Sequence, residues 1–300
     1  MIFQLNKDFV DSLSGEDLSE FCSKIVKGLH FLCAENSDTL MTIKTAIESH
    51  GSSKQKRLFK SYNRFKPTSL QRKYYMTYTP CVGCDMVWLE WLAEKPGYLI
   101  MENSHNEWDV YKFIIEAYKN DREFGNLYKE LKNACDEYRI EPRHGGGSNG
   151  LISEKNRITP YPKQGYTYVN LKSLILFDRD TNDHTYYDIN KNKLFKHLCR
   201  KNHTTIRETD IYSLNQPAGN WHMWYKRAIE NYFDDECYSK SGIGPVEPAG
   251  CPRDYFKIDD GSVSNYEKNK LSVLASHASR ERLENGLMSF YCPISGHNIS

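Results

Sequence analysis

A chain of 300 residues, 39% hydrophobic and holding 21 tyrosines, has enough apolar and aromatic material for a large core domain with appendages. Its formal net charge of +1 gives no global pull toward nucleic acid, so any such surface has to be a local patch. The start, Met1-Ile2-Phe3-Gln4-Leu5-Asn6-Lys7-Asp8, lacks the basic-then-apolar order of a secretory leader, and no apolar run approaches the length of a membrane span.

The first third is helical in pattern, and residues 1–95 are expected to form a helical, basic-aromatic N-terminal region. Ser14 is an N-cap candidate, and Leu18, Phe21, Cys22, Ile25, Leu29 and Leu32 recur at helical spacing. A second helix is expected after Ser37, carrying Leu40, Ile43 and Ile47 and stopping at Gly51. From Ser52 to Tyr75 there are eight basic residues (Lys54, Lys56, Arg57, Lys60, Arg64, Lys66, Arg72 and Lys73) and no acidic one. Phe59, Tyr62, Phe65, Tyr74 and Tyr75 are interleaved with them. Cations that neutralise phosphates beside rings that stack on bases suit a nucleic-acid surface, and Lys54, Lys56, Arg57, Lys60 and Arg64 are its candidate contacts. The same composition also fits a solvated basic helix or a face that docks on an acidic partner.

Cys81-Val82-Gly83-Cys84 offers two thiolates, half of what a zinc site needs; Cys292 and His297 are long-range candidates for the rest. No βαβ pattern surrounds the motif, which weakens a thioredoxin-like role. Nine cysteines, unevenly spaced and with no leader before them, read as reduced thiols of a cytoplasmic protein.

The pattern changes near Pro96. Gly97-Tyr98-Leu99-Ile100-Met101 predicts a strand ending at Glu102, followed by a helix with Trp108, Tyr111, Ile114, Ile115 and Tyr118 on its apolar face. Tyr138-Arg139-Ile140 predicts a second strand, which runs into Arg143-His144-Gly145-Gly146-Gly147-Ser148. Leu171 to Phe177 predicts a third, doubly buried strand, Asn190 to Arg200 a helix, Thr204-Thr205-Ile206 a fourth strand, and Trp221 to Phe233 a helix. Strands alternating with helices imply an α/β domain with a mainly parallel sheet over residues 96–235. Residues 236–300, punctuated by Gly and Pro from Ser241 to Pro252, form a C-terminal extension.

The chemistry concentrates at two expected strand ends. Asp178-Arg179-Asp180 follows Leu174-Ile175-Leu176-Phe177, and alternation turns Asp178 and Asp180 the same way. Unpaired, two such carboxylates repel, and a divalent cation neutralises them; a polar turn whose aspartates cap backbone amides is the other reading. In a parallel sheet Glu102 would share their edge. Three carboxylates with oxygen-only ligands suit Mg²⁺ or Mn²⁺, which polarises a phosphoryl oxygen and activates water; a second ion can stabilise the leaving oxygen. A pairing of Glu102 with Arg143 or Lys95, and a capping box of Ser104 with Glu107, are the structural alternatives.

Strand-Glu102, a Gly-rich turn and strand-Asp178-x-Asp180 together resemble the TOPRIM domain of topoisomerases, primases and OLD-type nucleases. Lys226-Arg227-Ala228-Ile229-Glu230-Asn231-Tyr232 further resembles the TOPRIM nucleases that accompany ABC-type or AAA-type ATPases in bacterial anti-phage defence, as in the OLD and PARIS systems. The similarity spans roughly residues 97–235. It implies a Mg²⁺- or Mn²⁺-dependent endonuclease with one or two ions, acting on DNA or RNA and controlled by an ATPase partner. It makes Glu102 a metal ligand or general base, Asp178 and Asp180 the main metal ligands, and Glu230 a further acidic group. Asn103 stands where the family has glycine, and no Asp follows before Asp109, a departure that bears on the second metal.

Arg143 and His144 before Gly145-Gly146-Gly147-Ser148 suit a nucleic-acid backbone, since glycine amides approach phosphate closely; a plain flexible loop fits as well. The turn lacks the Gly-Lys-Ser/Thr ending of a Walker A loop, so ATP hydrolysis would belong to a partner. The competing function is a non-catalytic TOPRIM-fold interaction subunit of an ATPase complex, with Trp221, Trp224 and Tyr225 as interface or helix-packing residues.

Overall fold

The computed structural model describes residues 1–158, 169, 171–178, 191–199, 221–223 and 240. The chain divides into two units: unit 1 is Met1–Gly97 with Lys163–Lys172, and unit 2 is Tyr98–Pro162 with Ser173–Ser300. Among the described residues no helix is long and apolar enough to cross a membrane.

Unit 1 is α/β, a correction to the helical region expected over 1–95. Its first apolar residues form β1 (Ile2–Leu5), the middle strand between β2 (Phe31–Ala34) and β3 (Thr77–Tyr78), and both neighbours run parallel to it. α1 (Lys7–Asp11) follows, capped by Asn6, and α2 (Gly15–Lys27) starts at Ser14, whose hydroxyl accepts the Asp17 N–H. The helical spacing breaks off there. Leu29 takes a left-handed φ of 54° and turns the chain into β2, so Leu32 is a strand residue. A four-residue strand in a parallel sheet has no polar alternation to betray it, and its leucine falls on the helical period by coincidence.

α3 (Ser37–His50) begins one residue earlier than expected, capped by Asn36, and stops at Gly51 as its pattern predicts. α4 (Ser53–Lys60) and α5 (Ser69–Tyr74) each open with a capping box, Ser52 with Gln55 and Thr68 with Gln71. α6 (Met86–Glu94) is capped by Asp85 and buries Trp88, Leu89, Trp91 and Leu92. Phe3, Phe9 and Phe21 meet edge to face, with ring centroids 5.9 Å apart in both pairs that Phe21 makes. Lys24 ties α2 to α6 by reaching Glu90 at 2.6 Å and Glu20 at 3.2 Å. Burial opposes its charge, but these carboxylates prevail and hold its pKa above the ordinary lysine value.

Unit 2 carries β4 (Gly97–Met101), α7 (Ser104–Tyr118), α8 (Gly125–Asp136), β5 (Ile140–His144), α9 (Ser148–Ile158), β6 (Ser173–Phe177), α10 (Asn192–Cys199) and β7 (Trp221–Met223). The strand order is β5-β4-β6-β7, with β4, β6 and β7 parallel. Tyr98 faces Ser173 and Met101 faces Leu176 in the register. The core comprises Ile100, Met101, Val110, Leu151, Ile175, Phe177, Leu194 and Trp221, all nearly inaccessible.

Three boundaries and one burial differ from the sequence reading. Tyr138 is an exposed left-handed turn residue, so β5 starts later, at Ile140. Residues 171–172 are helical and β6 starts at Ser173. Leu174 is 39% exposed, so β6 is not buried on both faces throughout. Trp221–Met223 is a strand beside β6 and not the start of a helix, with the Trp221 ring stacked on Phe177 at 5.7 Å. The expected strand at 204–206, Trp224, Tyr225 and, apart from residue 240, the extension 236–300 lie outside the described residues.

The strand order fixes where chemistry can sit. Among the described strands, the one after β4 is β5 on one side, and the one after β6 is β7 on the other. β4 and β6 are therefore the adjacent strands at which the winding reverses, and the edge beyond their carboxyl ends is where open α/β sheets place their ligands.

Candidate functional site

Glu102 and Asp178 are the residues immediately beyond β4 and β6, so the parallel register brings them to one edge. Glu102 Oε2 lies 3.4 Å from the Asp178 backbone N–H, and Glu102 Oε1 accepts from Lys191 Nζ at 3.0 Å. The Lys191 side chain is 2% exposed and that of Glu102 15%, so this is a largely buried ion pair. The Lys191 ammonium also lies 5.5 Å from the centre of the Phe177 ring, whose face favours a cation. Lys191 takes the place of Arg143 or Lys95, the partners considered from sequence. Nothing in the sequence singles it out, because it lies 89 positions from Glu102.

The glycine turn is stitched to the same edge. Gly145 N–H donates to Met101 O at 2.7 Å and Gly146 N–H to Glu102 O at 3.0 Å. Gly146 and Gly147 adopt φ of 66° and 89°, values that side chains disfavour, and the turn leads directly into α9. His144 is exposed beside this turn, its ring 5.2 Å from that of His105 in the first turn of α7. The sequence reading missed His105; its place next to a strand-end glutamate was the available signal. Arg143 is already engaged: it reaches Glu141 at 2.8 Å and Glu154 at 3.8 Å, with its guanidinium over the Tyr98 ring.

The start of α7 is one residue out of the expected register. Asn103 is the N-cap, and its backbone N–H donates to the buried Glu107 carboxylate at 2.8 Å. A reciprocal Ser104–Glu107 box is therefore replaced by a reach-back from the residue four along. Asp109 pairs with Lys112 on the helix surface. Asp180 and Glu230 lie outside the described residues.

The basic segment belongs to unit 1. Lys54, Arg57 and Lys60 are exposed on α4 and Lys56 is half-buried there. Arg64 lies over the Phe31 ring, 4.5 Å from its centre. Phe59, Tyr62 and Phe65 pack on one another, Tyr62 and Phe65 edge to face at 4.9 Å. The Tyr62 hydroxyl accepts from Leu32 N–H at 2.9 Å and contacts the carbonyls of His30 and Arg64; burial pushes its pKa above the usual phenol value. These rings thus brace β2 and do not stand free. Their outer sides and Lys44, Lys56 and Lys60, with Glu48, line a groove of about 440 Å³.

Chemically, the strand ends offer hard oxygen donors of the kind Mg²⁺ or Mn²⁺ takes. Among the described residues no three His, Cys, Asp or Glu side chains converge as a metal site; the described part contributes Glu102 and Asp178. Glu102 is charge-compensated by Lys191 as it stands, so an ion here would share or replace that contact. Compared with known proteins, the chain has no significant match to any family model, curated protein or solved structure.

Proposed function

We propose that the carboxyl edge of unit 2 is the site of a metal-dependent nuclease of TOPRIM type, hydrolysing phosphodiester bonds of DNA or RNA. The observation that carries this reading is the meeting of Glu102 and Asp178 across the strands where the winding reverses. Glu102 and Asp178, with Asp180 and Glu230 from outside the described residues, would hold Mg²⁺ or Mn²⁺. Bound there, the ion would polarise the scissile phosphoryl oxygen and acidify an attacking water. Lys191 fixes the Glu102 carboxylate in place and would supply a cation at the edge where phosphate charge accumulates. The His144 imidazole, exposed beside the glycine turn, would give a proton to the departing oxygen. Lys44, Lys56 and Lys60 of the unit 1 groove would neutralise backbone phosphates. By its resemblance to OLD- and PARIS-type effectors, the chain acts in anti-phage defence under the control of an ABC- or AAA-type ATPase.

The test is incubation of the full chain with DNA and with RNA in Mg²⁺ or Mn²⁺. Cleavage should need the ion and disappear in Asp178→Asn and Glu102→Gln, since losing a ligand removes several kcal/mol of transition-state stabilisation, roughly a thousandfold or more in rate. Cleavage that persists in EDTA or in Asp178→Asn would overturn the reading. The Lys191–Glu102 pair favours a second reading, a non-catalytic TOPRIM-fold subunit of an ATPase complex, because it satisfies the glutamate with no ion. Failure of the wild-type chain to bind Mn²⁺ in calorimetry, together with ATPase binding, would decide for it.

A further inference from the structure

Cys81-Val82-Gly83-Cys84 has no part in the unit 2 site, and its setting is not the one the sequence suggested. The motif follows the carboxyl end of β3 across Thr79-Pro80 and is succeeded at once by Asp85 and α6. Strand, C-x-x-C and helix therefore occur in that order within a parallel sheet. In the order β2-β1-β3 the chain passes from β1 to β2 on one side and then to β3 on the other, so the loop leaves the sheet where the winding reverses.

The loop holds its two sulfurs together. Cys81 Sγ and Cys84 Sγ are 2.7 Å apart, both are free thiols, and Cys81 is exposed while Cys84 is half-buried. Cys84 N–H donates to Cys81 O at 3.1 Å, closing a turn in which Gly83 takes a φ of 79° that a side chain would disfavour. Cys81 N–H donates back to Cys84 Sγ at 3.1 Å. This amide thus aims at the Cys84 sulfur, and the two thiols share a further hydrogen bond. The hydrogen bond to Cys84 holds Cys81 above the usual thiol pKa, while the Cys81 amide points its N–H at the Cys84 sulfur, where it would favour a thiolate. The neighbouring Asp85 carboxylate is occupied in capping Val87 N–H at 2.9 Å. A zinc site would need two more ligands, and among the described residues no third His, Cys, Asp or Glu converges on the pair.

We propose that Cys81 and Cys84 are a dithiol–disulfide centre that exchanges electrons with small disulfides and thiols, with Cys84 as the attacking sulfur and Cys81 as the resolving one. The Cys84 thiolate attacks one sulfur of a disulfide RSSR, forming a Cys84–SR bond and releasing RS⁻, which takes a proton from water. Cys81 then gives up its proton and attacks Cys84 Sγ; the Cys81–Cys84 bond forms and the second RS⁻ leaves, to be protonated in turn. The protein dithiol is oxidised by two electrons and RSSR is reduced to two RSH. The short Sγ–Sγ approach makes the second step intramolecular, so the mixed disulfide does not accumulate.

The experiment treats the full chain, and its Cys81→Ser and Cys84→Ser variants, with oxidised glutathione and follows intact mass and peptide maps. The wild-type chain should lose two hydrogens between Cys81 and Cys84, retain no glutathione on either, and return to the dithiol with excess reduced glutathione. Cys81→Ser should trap one glutathionyl group on Cys84, forming on the order of tenfold faster than the adduct on Cys81 in Cys84→Ser. Stable glutathionylation of the wild-type pair, or bridging of either cysteine to another in the chain, would overturn the proposal. So would zinc co-purifying through both thiols and blocking their oxidation until a chelator removes it. Faster reaction at Cys81 would overturn the assignment of the attacking sulfur.

Discussion

The ammonium of Lys191 meets the carboxylate of Glu102 at 3.0 Å, inside unit 2 and across 89 residues of chain. Burying two charges is expensive, and the pair holds only while both are present. Lys191→Met should therefore lower stability by about 3 kcal/mol through the stranded Glu102 charge. Adding Glu102→Gln should restore most of that loss. Urea unfolding of the two single variants and the double variant measures the coupling; additive losses would count against a paired role.

Unit 1 should weaken in alkali. The buried Cys22 thiol is pushed from the ordinary 9.0 up to about 12 by burial, and Tyr62 is pushed above its ordinary 10.0, chiefly by burial. Above pH 9 the unfolded chain loses these protons while the folded chain keeps them, so stability is full below that range and falls as pH rises through it. Cys22→Ala and Tyr62→Phe should each flatten the decline in melting temperature between pH 9 and 12. A slope unchanged by both would reject the mechanism.

Tyr62→Phe also removes a hydroxyl that accepts from Leu32 N–H and contacts the carbonyls of His30 and Arg64. At neutral pH this should cost about 2 kcal/mol, because polar groups beside β2 lose a partner with little access to water. Denaturant titration at pH 7 gives the value, and a loss near zero would mean that solvent replaces the hydroxyl.

The basic segment should divide into two kinds of residue. If unit 1 binds nucleic acid through its groove, Lys56→Ala and Lys60→Ala should each reduce the slope of log affinity against log salt by about 1, with little sequence dependence. Arg64→Ala should leave that slope alone and instead cost roughly 1 kcal/mol of stability, because its guanidinium covers Phe31. Filter binding across a salt series, with melting as the control, separates the two.

These contrasts show which features could be read without coordinates. β4 and most of β6 were legible because a run of apolar residues ends at a carboxylate, and the parallel pairing of Tyr98 with Ser173 then follows from the alternation of strands and helices. α2 and α3 were legible from their caps and glycine stops. β2, β3 and β7 were not: strands of two to four residues carry too little pattern, and Trp221 is defined by its stacking on Phe177. The meeting of Glu102 with Asp178 was inferable from parallel pairing; the arrival of Lys191 was not, because a buried countercharge needs only proximity in space. The C-x-x-C context was missed for the same reason as β3, whose two residues supply it.

The segment Lys163–Lys172 returns to unit 1 after the chain has already built much of unit 2. Lys172 marks that return: its ammonium donates to the Lys95 carbonyl at 2.8 Å and lies 3.4 Å from His30 Nε2. On a ribosome, the amino-terminal unit cannot acquire these contacts when its own first 97 residues emerge. It must wait while β4, β5 and the helices between them are synthesised. The two units are therefore linked in time during translation, and a fragment cut at the first boundary would lack a piece that no later folding can supply.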